Sequence, residues 1–211
     1  MTKEHEAHVA MTSGTEGKLI SMANAAAKSA SEALAKLSQR RVTISVASVE
    51  IKPVQRVFPG ILPETVVAGV YLPATGDIKG ASLLVFTEDA AFLVCDMLLM
   101  KEEGTTRKLT EVDISALTEA GRILCGSFLT VLSNTMRIKI VEHVPSFSLD
   151  MFGAVVDVLI AEMVQIPTEA LVIQMRFAFD HARVAGPILF ILGIQDLETV
   201  LKAVDTIKRG A

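Results

Sequence analysis

The sequence predicts an α+β fold in which two long helices and flanking helices pack on a shared, mainly antiparallel sheet. Three observations carry this. Apolar residues recur at helical spacing through 19–37 and again through 109–134. Each of these segments is followed by a run rich in β-branched residues. The order of helix, strand, strand pair and helix then occurs twice along the chain.

Leu19, Ala23, Ala26, Ala30, Leu34 and Leu37 line one face of the first helix, with Ser21, Asn24, Lys28, Ser31 and Glu32 opposite. "VTISVASVEI" (42–51) reads as a strand, and a Pro-punctuated loop leads to "TVVAGVYLP" and "IKGASLLVF", two antiparallel strands joined around "ATGD". "TEDAAFLVCDMLLM" is a helix with Thr87 as its N-cap. After the polar linker "KEEGTTRK" comes the second long helix, with Thr110 as cap and Asp113 three residues on. "IKIVEHVPSFSL" is a strand, with Pro145 at a strand edge or bulge. "MFGAVVDVLIAEM" is a short helix or a further strand. "EALVIQMRFAF" and "RVAGPILFIL" form the next strand pair, and "QDLETVLKAVDTIK" (195–208) closes the chain as a helix.

Placing Leu19 on Leu117 also brings Asn24 onto Arg122, Leu34 onto Leu132 and Val42 onto Ile140. Later, "IKGASLLVF" aligns with "VAGPILFIL" once an insertion around "MFGAVVDV" is allowed. The organisation expected is a polar tail (1–14) and one domain (15–211) of two pseudo-twofold repeats, about 15–103 and 109–209.

Composition excludes several classes of function. The chain has 211 residues, 51% hydrophobic but only 5% aromatic, with no Trp and a formal net charge of −4. It offers neither stacking platforms nor a basic footprint for nucleic acid. No stretch resembles a membrane span or a secretory leader, so the expected location is the cytoplasm. Cys95 and Cys125 read as buried small hydrophobes in a reducing compartment. No phosphate-binding glycine loop, nucleophile elbow or C-x-x-C pair occurs, and His5, His8, His143 and His181 are scattered, so no metal site or cofactor of its own is expected.

The polar faces of the two long helices remain. On the second, Ser115, Glu119, Arg122, Gly126, Thr130 and Ser133 form one strip, opposite Ile114, Leu117, Gly121, Cys125, Phe128 and Leu132. A glycine on the outward strip gives room for the close approach of another backbone or side chain.

"DISALTEAGRILCGSFLTVLSNTMRIKIVEHVPSFSLDMFGAVVDVL" resembles the second half of the CheC/CheX/FliY family of chemotaxis proteins, and of CheC in particular. The family pattern is Asp or Ser, then Glu, then Asn one helical turn later, with a Pro further on. Ser115, Glu119 and Pro145 fill it here, and Arg122 stands at the Asn position. In the first half Asn24 fills the Asn position, while Ser21 replaces Glu, Gly17 replaces Asp or Ser, and Ala47 replaces Pro. The resemblance implies a CheC-like fold and dephosphorylation of a CheY-like receiver, in which the Asn amide positions a water and the Glu pairs with the receiver's lysine. It further implies that the receiver supplies the Mg²⁺, and that CheD is a possible second partner. On that basis Asn24 and Glu119 are the candidate catalytic pair. Ser21 and Arg122 are degenerate positions, and Ser115, Gly126 and Lys28 belong to the docking faces. Arg122 has no acceptor with which to orient a water, so two readings follow: weak hydrolysis through Asn24, or a non-catalytic regulator that binds a receiver or CheD.

Overall fold

The first helix, α1 (Ser13–Ser38), buries Leu19, Met22, Ala23, Ala26, Ala27, Ala30 and Leu34, a face of mainly small residues that lets it lie close to its neighbours. Residues 13–53, 61–162, 169–179, 187–193 and 200 are described in the computed structural model of the chain. The polar tail up to residue 12, most of the closing helix and His181 lie outside them. Leu37, expected on the buried face, is 42% exposed, because the helix ends one residue later and Gln39 turns away in the left-handed region at φ 53°.

Strand β1 (Val42–Pro53) follows, then β2 (Val66–Gly76) and β3 (Gly80–Thr87), the antiparallel pair expected around "ATGD". The helix α2 (Glu88–Leu98) has Thr87 at its N-cap, but the Thr87 side chain makes no capping hydrogen bond. For α3 (Glu111–Met136) the expected capping box is complete: the Asp113 N–H donates to the Thr110 hydroxyl, and the Asp113 carboxylate accepts the Thr110 N–H at 2.9 Å. The single strand expected next is two, β4 (Ile140–Glu142) and β5 (Ser146–Met151). The segment left as helix or strand is a helix, α4 (Phe152–Glu162), and β6 (Glu169–Phe179) and β7 (Pro187–Gly193) complete the sheet.

All the described strands form one antiparallel sheet in the order β1-β6-β7-β3-β2-β4, with β5 also on β2. The strand after each long helix therefore pairs in the other half of the chain. Both of these outer strands are irregular. In β1 the register shifts between Val46 and Ser48, leaving Ala47 as an extra residue. Between β4 and β5, three residues (143–145) oppose Leu72 and Pro73 of β2, so Pro145 sits in a bulge and Val144 is 86% exposed.

Burial on both faces of β3 shows how the layers lie. Leu84 and Phe86 face a large core shared with α1, α2 and α3, while Leu83 and Val85 face a smaller one shared with Phe152 and Val155 of α4. Phe128 of α3 stacks on Phe190 of β7, ring centroids 3.9 Å apart. Two contacts fix the distances between layers. The Ser31 hydroxyl donates to the Ala27 carbonyl and accepts the Ile44 N–H at 2.9 Å, tying α1 to β1. Gly121 lies directly on β2, where a Cβ would fall 2.7 Å from Cγ1 of Val70.

By length and composition α3 is apolar enough to cross a membrane, where the sequence reading found no such segment. Here it is a core helix, with Leu117, Leu124, Cys125, Phe128 and Leu132 buried.

The polar linker is organised by two buried carboxylates that sequence reading passed over or treated only as a cap. Asp96 accepts the N–H groups of Gly104, Thr105 and Thr106 and the Thr106 hydroxyl at 2.6 Å. Asp113 is bridged at 2.6 Å by Lys101, whose ammonium also donates to Thr106. Burial alone would raise both acids, but the Thr106 bonds to Asp96 and the Lys101 and Thr110 bonds to Asp113 outweigh it and hold both below the usual carboxylate range.

Gly121→Ala is expected to destabilise the protein by about 1–3 kcal/mol in denaturant titrations, because Val70 is stiff and the clash exceeds the helix-propensity gain. Groups whose folded pKa is depressed stabilise above their unfolded pKa, near 4, and that stabilisation disappears as pH falls through the folded values. Asp96→Asn should therefore cost roughly 2 kcal/mol at pH 7, and the gap to wild type should narrow towards pH 3.

Candidate functional site

The inward packing of α1 sets what it shows outside. With Ala23, Ala26 and Ala27 buried, Gly17, Ser21, Asn24 and Lys28 are all exposed on the outer face. Among the described residues the Asn24 amide makes no hydrogen bond, so both its carbonyl and its NH₂ are free to meet a ligand.

The outer face of α3 is different. Ser115, Glu119 and Arg122 are exposed, but Arg122 binds Glu119 with both arms of its fork, Nε to Oε2 at 2.8 Å and an Nη to Oε1 at 2.5 Å. The bond from Arg122 holds the Glu119 carboxyl low against the effect of burial, and Glu119 in turn raises Arg122. Glu119, expected as a contact for a partner's lysine, is thus already paired within the chain.

Gly126 departs further from expectation. It is half-buried, and the room it creates is filled by the chain's own Glu142, on β4: a Cβ at Gly126 would lie 2.9 Å from Glu142 Oε2. The space read as room for a partner is occupied from within, since β4 runs beside α3 at this level. Glu142 and Gly126 border an open groove between α1 and α3, together with Ser29, Arg122, Ser127 and Thr130. Burial raises the Glu142 carboxyl, with the Arg122 charge opposing. Sequence reading missed Glu142. The signal available was Gly126 itself, a helix glycine that requires a close neighbour.

The structure thus brings Glu119, Arg122, Gly126 and Glu142 together on one face, while Asn24, Ser21 and Lys28 stand on the other long helix. Among the described residues no group of three or more His, Cys, Asp or Glu side chains converges on a metal-sized site. Both thiols are buried. Burial, and then the Asp113 charge, pushes Cys95 up to about 12. Burial pushes Cys125 to about 12 as well, against an opposing contact with Ser82.

Comparison with known proteins agrees with this architecture. The chain is 29% identical over 164 residues to the CheY-P phosphatase CheC of Bacillus subtilis, covering 75% of this chain and 77% of CheC. Its fold matches the crystal structure of Thermotoga maritima FliY with a TM-score of 0.76 at 18% identity, over 95% of this chain and all of that one. The FliM middle domain from H. pylori follows at 0.64 and 13% identity, over 92% and 99%. At those identities the structural likenesses speak for the fold. No family model matches the chain.

Two outcomes follow from the site geometry. Neither cysteine should react with a thiol reagent at pH 8 in the native state, and both should react after unfolding. Arg122→Gln should change stability by no more than about 0.5 kcal/mol in thermal or urea melts, since the pair it breaks is surface-exposed.

Proposed function

For this chain of the CheC/CheX/FliY type we propose that it docks on a phosphorylated CheY-like receiver in the cytoplasm and promotes hydrolysis of the aspartyl phosphate weakly, through Asn24. The observation that carries this reading is the exposed, unbonded amide of Asn24 on the outer face of α1. The sequence similarity to CheC supports the partner class.

The chemistry asks little of the chain. The receiver brings the phosphoryl group, its Mg²⁺ and its lysine, and the helper holds a water in line with phosphorus. The Asn24 carbonyl accepts from that water while its NH₂ donates to a phosphoryl oxygen. No cofactor of the chain's own enters. Ser21 offers only a hydroxyl where an acidic contact would hold the receiver lysine, which accounts for a low rate. Lys28, one turn beyond Asn24, adds a positive charge on the same face.

Several features support reading the chain as two related halves with two candidate faces. The outer strands β1 and β4/β5 are each bulged, at Ala47 and at Pro145. The two long helices each end on a left-handed residue, Gln39 and Arg137. In the second half the face is for docking only, because Arg122 has replaced the amide and neutralised Glu119. A non-catalytic regulator that binds a receiver or CheD is the second reading, favoured by that closed ion pair.

Decay of a phosphorylated CheY-like receiver from the same organism decides between them. Wild type should accelerate it, and Asn24→Ala should abolish the acceleration. Arg122→Asn, which restores Glu and Asn one turn apart on α3, should raise the rate on the order of tenfold. Receiver binding without acceleration, unchanged by Asn24→Ala, establishes the regulator instead.

A further inference from the structure

Among the described residues, Glu142 is the carboxylate that lines the groove between α1 and α3. Its oxygens accept no hydrogen bond among the described residues. Arg122, the neighbouring cation, uses both arms of its fork on Glu119. Glu119 and Arg122 close on each other, while Glu142 feels the Arg122 charge without a direct ion pair among the described residues. Its half-buried position makes an unpaired charge costly, and the glycine at 126 is what admits the carboxylate to that position. Around it stand the hydroxyls of Ser29, Ser127 and Thr130, which can accept as well as donate. A group with several N–H donors and a positive charge matches the chemistry of this lining.

We propose that this groove receives the ammonium or guanidinium end of a Lys or Arg side chain from the docked partner protein, with Glu142 as its carboxylate acceptor. The proposal rests on the receiver-docking reading for the identity of that partner. A protein side chain fits better than a free amine because the groove is open on one side. A small cation there stays exposed to water and salt, whereas a docked surface covers the mouth as it inserts its side chain. The arrangement also gives the second face an acidic contact to replace Glu119.

The test has two arms. In the first, a beryllofluoride-loaded receiver is titrated calorimetrically into wild type, Glu142→Gln and Glu64→Gln, an exposed acid outside the groove, at two salt concentrations. Glu142→Gln should weaken binding about tenfold and flatten its salt dependence, while Glu64→Gln leaves both unchanged. Wild-type affinity and salt dependence in Glu142→Gln overturn the proposal. In the second arm the Glu142 carboxyl carbon is followed by NMR while n-butylammonium chloride is added, with tetramethylammonium, which lacks N–H donors, as control. A saturable shift with butylammonium alone is expected, and no saturable shift overturns the proposal. If butylammonium saturates the groove and wild type binds no receiver, the docking reading fails while the groove's preference for a donor cation stands.

Discussion

The contact between Gly121 and Val70 sets the rotation of α3, and the rest of the site depends on it. With no side chain at 121, the helix backbone settles onto β2 at a distance no other residue permits. The turns on either side then bury Leu117, Leu124, Cys125 and Phe128, and Phe128 is locked by its stack on Phe190. The strip of Ser115, Glu119 and Arg122 points outward as a consequence. A rotation of one residue, about 100°, would bring a charged side chain into the core. The outer chemistry is thus held in place from beneath by a glycine that takes no part in it.

The two long helices carry opposite electrostatic states on their outer faces. On α1 the Asn24 amide makes no hydrogen bond among the described residues, and it and the Lys28 ammonium are exposed. On α3 acid and base close on each other, and a second acid approaches from the sheet. A partner approaching α1 meets free donors and acceptors. On α3 it must compete with bonds already formed, except at Glu142. The two faces therefore differ in more than one residue of a pattern: on one the Asn24 amide stands open, and the other is largely satisfied by its own chain.

Much of this was legible in the sequence, because helix and strand periodicity are local properties. The buried stripes of α1 and α3, the capping box at Thr110 and the bulge at Pro145 all follow from residue type and spacing. Features that depend on distant partners were not. Leu37 was assigned to the buried face by periodicity, which cannot tell where a neighbouring layer stops. A glycine at 126 signals a close neighbour, but periodicity within a helix is silent on which strand supplies it, and so on Glu142. Asp96 was hidden for the same reason. Its acidic side chain falls on the buried side of an apolar helix, and only the fold of the linker over it supplies the backbone N–H groups that satisfy it.

The bulges at Ala47 and Pro145 have a further effect at the level of assembly. They lie in β1 and in β4/β5, the two outer strands of the described sheet. An outer strand with a regular ladder is a template on which another chain's strand can grow. An extra residue in the middle of each shifts the phase of its N–H and C=O groups and increases its twist, so a straight incoming strand cannot stay in register across the break. The proline removes one donor outright. Irregularities that look like faults in the pairing thus keep a chain with so apolar a sheet from polymerising through its own edges.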